Sequence, residues 1–247
     1  MIDNGRAVIT RQFKKPIYVG DPINAIKILN EKEVDELIIL DITSKKNKTR
    51  PDFKLIEKMA SESFMPLAYG GNVTTIEDAE TLINCGVEKI SFNSTLFSYP
   101  EVVKELSYRN GKQSVIASLD VKKNWLGSYV VKTNGGKQTI KKDLNSIVQD
   151  VLALGVGEIL LNSIDKDGSL TGYDEILVRQ VVDQINVPLI ACGGASSVKD
   201  FTSVIRNGRA SAVAAGALFF FKGGFNAVLV NYPDQQTLKS ELYTRLE

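Results

Sequence analysis

Two stretches of this chain repeat each other at a fixed spacing, and that repeat limits what the chain can fold into. Pro66-Leu67 corresponds to Pro188-Leu189, Gly71 to Gly193, Asp78 to Asp200, Gly86 to Gly208 and Leu96-Phe97 to Leu218-Phe219, each pair 122 positions apart. Glu36-Leu-Ile-Ile39 stands in the same relation to Glu158-Ile-Leu-Leu161. Chance matches drift in register, so a constant offset marks an internal duplication of half the protein. Either half alone would expose an open parallel edge. The duplication therefore predicts one barrel domain over residues 1–247, built from two halves.

The pattern along the chain is that of alternating strands and helices. Strands are expected at Glu36–Ile42, Met65–Tyr69, Lys89–Phe92, Ser114–Val121, Glu158–Asn162, Leu189–Ala191 and Ala210–Ala214. Asp21-Pro22 opens a helix through Asn30, with further helices at Asp52–Ser61, Thr75–Cys85, Pro100–Tyr108, Leu144–Leu154, Tyr173–Ile185 and Val198–Asn207, and a last helical segment at the C-terminus. Gly5–Thr10 reads as a short strand, Lys45–Arg50 as a basic loop, and Leu126–Thr133 with Gln138–Ile140 as a hairpin around Asn134-Gly135. No composition break marks a linker. The parallel strands number seven, one short of a (β/α)₈ barrel. Gly127-Ser-Tyr-Val-Val131 aligns on Gly5-Arg-Ala-Val-Ile9, which puts the counterpart of Ser114–Val121 upstream of Met1. The expected fold is thus an α/β barrel, (β/α)₈ in plan, of two duplicated half-barrels lacking the first strand, with two parallel edges left open.

Composition excludes several function classes. With 30 basic and 29 acidic residues the net charge is +1, so no field steers the chain toward nucleic acid or an acidic membrane. The longest charge-free apolar run, Ser211–Phe221, is too short to span a bilayer, and the N-terminus carries no signal-peptide pattern, so the cytoplasm is the expected compartment. Cys85 and Cys192 supply neither a disulfide framework nor metal spacing and read as buried thiols at a helix end and a strand end. Histidine is absent, so acid–base chemistry falls to carboxylates, lysine, tyrosine or cysteine. Neither a metal site nor a cofactor motif is read.

Reacting groups of such barrels sit at the C-terminal ends of strands. Those ends present Asp41, Gly70-Gly71, Asn93-Ser94, Asp120, Ser163 with Asp165 and Asp167, Gly193-Gly194 and Ala215-Gly216. The two halves each offer a small-residue cradle for phosphate. One comprises Gly71, Asn72, Asn93 and Ser94; the other comprises Gly168, Gly194, Ala215 and Gly216. Tight βα turns are the alternative use of the same glycines. A ligand with a phosphate at each end would span the mouth and hold its middle over the barrel axis. Asp120 ends an otherwise apolar strand and reads as a proton-transfer group, or alternatively as a structural acceptor for loop amides. Asp165 and Asp167 both fit an Asx-type turn closing their loop, and Asp167 also directly precedes the glycine of the second cradle.

With these residues assembled, the chain resembles the HisF family, the cyclase subunit of imidazole glycerol phosphate synthase. The resemblance runs through Gly20-Asp21-Pro22, Asp35-Glu-Leu-Ile-Ile-Leu-Asp-Ile-Thr43, Leu119-Asp120-Val-Lys122, Gly157-Glu-Ile-Leu-Leu-Asn-Ser-Ile-Asp-Lys-Asp-Gly168 and Gly193-Gly194-Ala195. It implies a glutaminase partner, HisH, docked on the N-terminal face as a heterodimer and sending ammonia through the barrel axis. It also implies a bis-phosphorylated aminoimidazole ribonucleotide substrate, with imidazole glycerol phosphate, for histidine synthesis, and an aminoimidazole carboxamide ribotide as products. By the same resemblance, Asp120 matches the general base ending the barrel's fifth strand, and Asp41 and Asp167 match polar site residues. Asn93, Ser94, Gly194, Ala215 and Gly216 match phosphate positions, and Glu36, Lys89 and Glu158 match a charged ring at the ammonia entrance.

Several positions depart from the family pattern. Its other catalytic aspartate and one arginine of the ring belong to the strand this chain lacks, a family lysine falls on Ile9, and a phosphate-site glycine falls on Asn72. Tyr18-Val-Gly-Asp-Pro-Ile-Asn24, Phe64-Met-Pro-Leu-Ala-Tyr-Gly70 and Asn231-Tyr-Pro233 resemble a branch associated with amidation of sugars in bacterial surface polysaccharides. There the barrel serves a HisH-like glutaminase and a separate sugar amidotransferase.

Overall fold

The apolar runs become parallel strands because their residues are buried on both faces. The computed structural model describes residues 1–222 and 227–246. Its parallel strands are β1 (Leu37–Leu40), β2 (Leu67–Gly70), β3 (Lys89–Phe92), β4 (Val115–Lys123), β5 (Glu158–Ser163), β6 (Leu189–Cys192) and β7 (Ala212–Ala214). They hydrogen-bond in the order β7-β6-β5-β4-β3-β2-β1, each parallel to its neighbours. Between and before them run helices α1 (Pro22–Glu31), α2 (Phe53–Glu62), α3 (Ile76–Asn84), α4 (Pro100–Asn110), α5 (Leu144–Leu152), α6 (Glu175–Val182) and α7 (Val198–Arg206). None of the described helices is long and apolar enough to cross a membrane.

Successive side chains on a strand point to opposite faces, and the two faces bury different things. Tyr69, Ile90, Phe92, Leu119, Ile159 and Leu161 face outward, packed with Ile56, Met59, Leu82, Leu106 and Val181 of the helices. Each such side chain contributes about 1.5–3 kcal/mol by leaving water. The alternate residues Ala68, Ile116, Leu160 and Ile190 form a separate cluster with Ile38, Cys192 and Ala214. That cluster draws on β1 and β7, the two edges of the sheet, so the sheet curls around it as a barrel wall. The strands occupy the second to eighth positions of a (β/α)₈ barrel of two half-barrels, and the first-strand position between β1 and β7 holds no full strand among the described residues.

The N-terminal residues bridge that seam at the mouth end. Strands Ile2–Asp3, Arg6–Ile9 and Ile17–Gly20 form an antiparallel sheet, and Ile2 bridges Asp41 in parallel. On the other side Ala7, Ile9 and Val19 pack against Ala217, beyond β7.

Caps set most helix starts. Asp21, Asp52, Asp143 and Asp174 accept from backbone amides of the first turns of α1, α2, α5 and α6, each contributing about 1 kcal/mol. The duplication survives in α3 and α7. Thr75 accepts from Asp78 N at 3.1 Å, and Asp200 accepts from Ser197 N at 3.0 Å. The halves diverge in that Asp78 also receives Arg50 Nε at 2.7 Å.

Several sequence expectations need correction. The strand expected over Glu36–Ile42 stops at Leu40, because Asp41 accepts from Thr43 N at 2.8 Å and Ser44 N at 3.2 Å and caps a short helix, Ile42–Asn47. The basic loop expected at Lys45–Arg50 therefore begins helical. The helix expected over Tyr173–Ile185 covers only Glu175–Val182; Asp174 caps it, while Tyr173 turns aside and donates to Ala214 O at 3.0 Å. The hairpin strand begins at Tyr129 rather than Leu126, since Asn124 Oδ1 accepts from Leu126 N and Ser128 N in a tight turn. Both cysteines are free; the Cys85 thiol is not buried, contrary to expectation, while the Cys192 thiol is enclosed.

Candidate active site

Every second residue of the strands faces the barrel interior, and reading those residues from base to mouth gives a layered lining. The floor is Glu36, Lys89 and Glu158. Lys89 Nζ lies 2.9 Å from Glu36 and 2.8 Å from Glu158. Burial pulls the Lys89 ammonium down, but the hydrogen bonds and charges of the two carboxylates more than offset this and hold it above its ordinary value. Two carboxylates share one cation, and Glu158 Oε2 is buried with no hydrogen-bond partner. Changing Lys89 to Met, which leaves two facing carboxylates unpaired, is expected to destabilise the protein by about 2 kcal/mol at pH 7. Urea denaturation of the two proteins at pH 7 should show that loss as a lower midpoint at an unchanged slope.

Above the floor comes the apolar cluster of Ala68, Ile116, Leu160 and Ile190, with the serines Ser91 and Ser118, each 5% exposed, beside Ile116 and Leu160 in strand register. The mouth layer is Asn93, Asp120 and Asn162. Asn162 and Asp120 are register partners on β5 and β4. Asn93 Nδ2 donates to Asp120 Oδ2 at 3.2 Å and to Ser118 O at 3.0 Å. From the other side Asn162 Nδ2 donates to Asp120 Oδ1 at 3.4 Å. Asp120 keeps some exposure at the open mouth, but its carboxyl is enclosed by these neighbours. Burial pushes its pKa up to about 7; the Asn162 hydrogen bond opposes this and the charge of Asp167 adds to it. A carboxyl at that value exchanges a proton readily near neutral pH.

Asp167 lies on the loop after β5, and what holds it is the N-terminal loop. Asp167 Oδ2 accepts from Thr10 Oγ1 at 2.8 Å and from Phe13 N at 3.2 Å, and Asp167 O accepts from Gln12 N at 2.9 Å. Burial raises the Asp167 pKa, while the Thr10 hydroxyl and Phe13 amide restrain the rise. Gly168 follows at φ +62°, and a side chain on it would strike the Thr10 backbone, so its lack of one serves this docking. Asp165 does not close its own turn as expected. It accepts from Lys123 N at 2.8 Å and ties the β5 loop to the end of β4. Cys192, beside Asn162 in register, has its thiol pushed up to about 12 by burial and by the charges of Asp167 and Asp120.

The remaining strand-end residues divide between structure and open amides. Both Asp41 oxygens are engaged, one in the helix cap and the other accepting from Tyr69 Oη at 3.0 Å. Gly71 lacks a side chain that would otherwise crowd Tyr69 Oη and Asp41. Asn72 adopts φ +46° and donates Nδ2 to Thr49 O at 2.8 Å; Ser94 Oγ lies 3.4 Å from Asn134 Oδ1. Gly193, at φ +90°, leaves room for Asn162 Oδ1, and Gly194 presses on Gly172, whose N–H donates to Gly194 O at 2.8 Å. The backbone amides of Gly71, Asn72 and Ser94 on one side, and of Gly194, Ala215 and Gly216 on the other, donate to no backbone acceptor among the described residues.

Sequence reasoning passed over Asn162, Thr10 and Tyr69. Asn162 had a signal: Glu158, Leu160 and Asn162 alternate on one strand, so an amide follows the floor carboxylate and the apolar layer on the same face. Thr10 and Tyr69 had none, since their partners lie 157 and 28 residues away.

The model of the histidine biosynthesis protein family matches residues 2–224. The Pseudomonas aeruginosa protein hisF2, named provisionally as an imidazole glycerol phosphate synthase subunit, is 45% identical over 231 residues, covering 94% of this chain and 92% of its own. The similarly named hisF3 of Vibrio vulnificus is 44% identical over 236 residues, with 95% and 91% covered. The imidazole glycerol phosphate synthase subunit HisF of Helicobacter hepaticus is 37% identical over 221 residues, with 90% and 87% covered. With the layered lumen, the curled seven-stranded sheet and this similarity along nearly its whole length, the chain belongs to the histidine biosynthesis protein family, among its HisF proteins.

Proposed function

We propose that residues 1–247 act as one barrel domain that is the cyclase half of an ammonia-transfer enzyme. A HisH-like glutaminase on the N-terminal face supplies ammonia, which is joined to a bis-phosphorylated aminoimidazole ribonucleotide at the mouth. Imidazole glycerol phosphate and an aminoimidazole carboxamide ribotide leave. Asp120 is the general base. The phosphates are held by Gly71, Asn72, Asn93 and Ser94 on one side, and by Gly168, Gly193, Gly194, Ala215 and Gly216 on the other. Asp41 and Asp167 shape the site, and the Glu36–Lys89–Glu158 floor is the ammonia entrance.

The observation that carries this reading is the graded lumen. Charged at the base, apolar in the middle and amide-lined at the mouth, it suits a small neutral nucleophile moving toward Asp120. An apolar middle layer disfavours ammonium, whose charge would lose its hydration there, and admits uncharged ammonia.

A second reading, an ammonia conduit serving a sugar amidotransferase in surface-polysaccharide synthesis, is favoured by one feature. The position between β1 and β7 holds no full strand among the described residues, and it is on that strand that the resemblance calls for a second catalytic aspartate. Turnover of the imidazole precursor with ammonium salt supplied directly separates the two. Product formation is expected under the first reading. No product, together with ammonia delivery from glutamine to a sugar acceptor when both partners are added, would replace it with the second.

A further inference from the structure

Asn162 is the one mouth-layer side chain with an unused end. Its Nδ2 donates to Asp120 Oδ1, but its Oδ1 is buried without a partner, on a residue only 6% exposed. A buried carbonyl acceptor left unpaired is costly, and the fold makes room for it deliberately. The vacant side-chain position of Gly193 lies 2.9 Å from this oxygen, at a φ of +90° that L side chains rarely adopt, so any other residue there would crowd it. Below it, the buried Ser91 hydroxyl also lacks a partner. An acceptor held open directly above an apolar passage and next to a carboxylate calls for an N–H donor.

We propose that Asn162 is a positioning residue with two ends: Nδ2 holds Asp120, and Oδ1 receives an N–H of the nitrogen nucleophile arriving through the barrel. Ammonia bound in this way has one hydrogen on Asn162 and its nitrogen beside Asp120, in register with the base. The inference rests on the ammonia-using reading above, and it adds that discrimination for the nucleophile resides in Asn162 rather than in the phosphate cradles. Asn93 cannot substitute, because its Oδ1 already accepts from Ser94 Oγ at 3.4 Å.

The test follows the Asp120 carboxyl by ¹³C NMR in protein labelled at aspartate, titrated in ammonium chloride and in sodium chloride at equal ionic strength. The other titratable groups facing this layer are Asp167 and Cys192, with the α-amino group of Met1 near both, and they are common to all variants. In the parent protein, ammonium is expected to shift the Asp120 titration saturably where sodium does not. Asn162→Leu, similar in volume, should abolish that difference and raise the Asp120 titration point, since a donor to the carboxylate is gone. Asn162→Ser, which keeps a hydroxyl and adds no bulk, should restore part of both effects and serves if the Leu variant does not fold.

In turnover with ammonium salt, Asn162→Leu should raise KM for ammonium about tenfold while KM for the bis-phosphate stays within about twofold. Identical ammonium and sodium titrations in the parent, or an ammonium response unchanged in Asn162→Leu, would overturn the inference. So would a uniform loss in which both KM values rise together, the signature of a merely structural role. A parent protein that shows the ammonium response but forms no product refutes the cyclisation reading alone and leaves the assignment of Asn162 standing.

Discussion

Replacing Asp120 with Asn is expected to lower turnover of the bis-phosphate by about two or more orders of magnitude while leaving its binding nearly intact. The phosphates are proposed to be gripped by backbone amides at the ends of β2, β3, β6 and β7, whereas Asp120 ends β4. The loss should therefore fall on kcat. Unchanged turnover in the variant would remove Asp120 from the mechanism. The same substitution should have the opposite effect on stability. Burial moves this carboxyl from 3.8 to about 7, so the folded state binds the proton more tightly than the unfolded chain does. The stability that comes with the proton is fully present below about pH 4 and is lost as pH rises through about 7. At pH 8 the parent carries an enclosed ionised carboxylate, and Asp120→Asn does not. The variant should melt higher than the parent at pH 8, by roughly 2 kcal/mol once solvent at the open mouth is allowed for, and the advantage should vanish near pH 4. Thermal melts of both proteins across that range decide it, and a constant difference at all pH values would mean that the carboxyl is not strained by burial.

Changing Gly194 to Ala is expected to cost about 3 kcal/mol or more, the largest effect of a single methyl group anywhere at the mouth. Two costs combine. Gly194 sits at φ +112°, which L side chains rarely adopt, and a Cβ there would collide with the Gly172 carbonyl. Relief would separate the loop after β6 from the segment leading into α6, breaking the Gly172 N to Gly194 O hydrogen bond. Gly127→Ala is the proper control: its φ of +82° is also positive, but nothing lies within 4 Å of the added methyl group. It should cost about 1 kcal/mol. Gly111 would serve less well, since a side chain there meets Gln113. Because the second cradle is built on the Gly194 turn, the Ala variant should also bind inorganic phosphate more weakly than the Gly127 variant at a temperature where both are folded. Equal melting points for the two variants would mean that the Gly172 contact contributes nothing.

Much of this architecture is legible in the chain alone, for a local reason. Strand side chains alternate every second residue and helices close with caps, so the order of elements follows from short stretches of residues, while the charges at Glu36, Lys89 and Glu158 were legible only through the family resemblance. Leu189–Cys192 needed no tertiary information, because burial on both faces demands the same apolar run wherever the strand is placed. Tertiary structure decided which strand ends meet. Asn93 and Asn162 reach Asp120 from 27 and 42 residues away, and only strand register puts them on either side of one carboxylate. Asp41 and Asp120 both end apolar strands, yet the first turns back to cap a helix and the second stays enclosed at the mouth. That difference arises because Thr43 and Ser44 offer Asp41 free amides at once, while β4 continues past Asp120 into a hairpin whose amides are already paired. The course of each strand beyond its carboxylate, and not the carboxylate itself, decides whether it becomes a cap or a base.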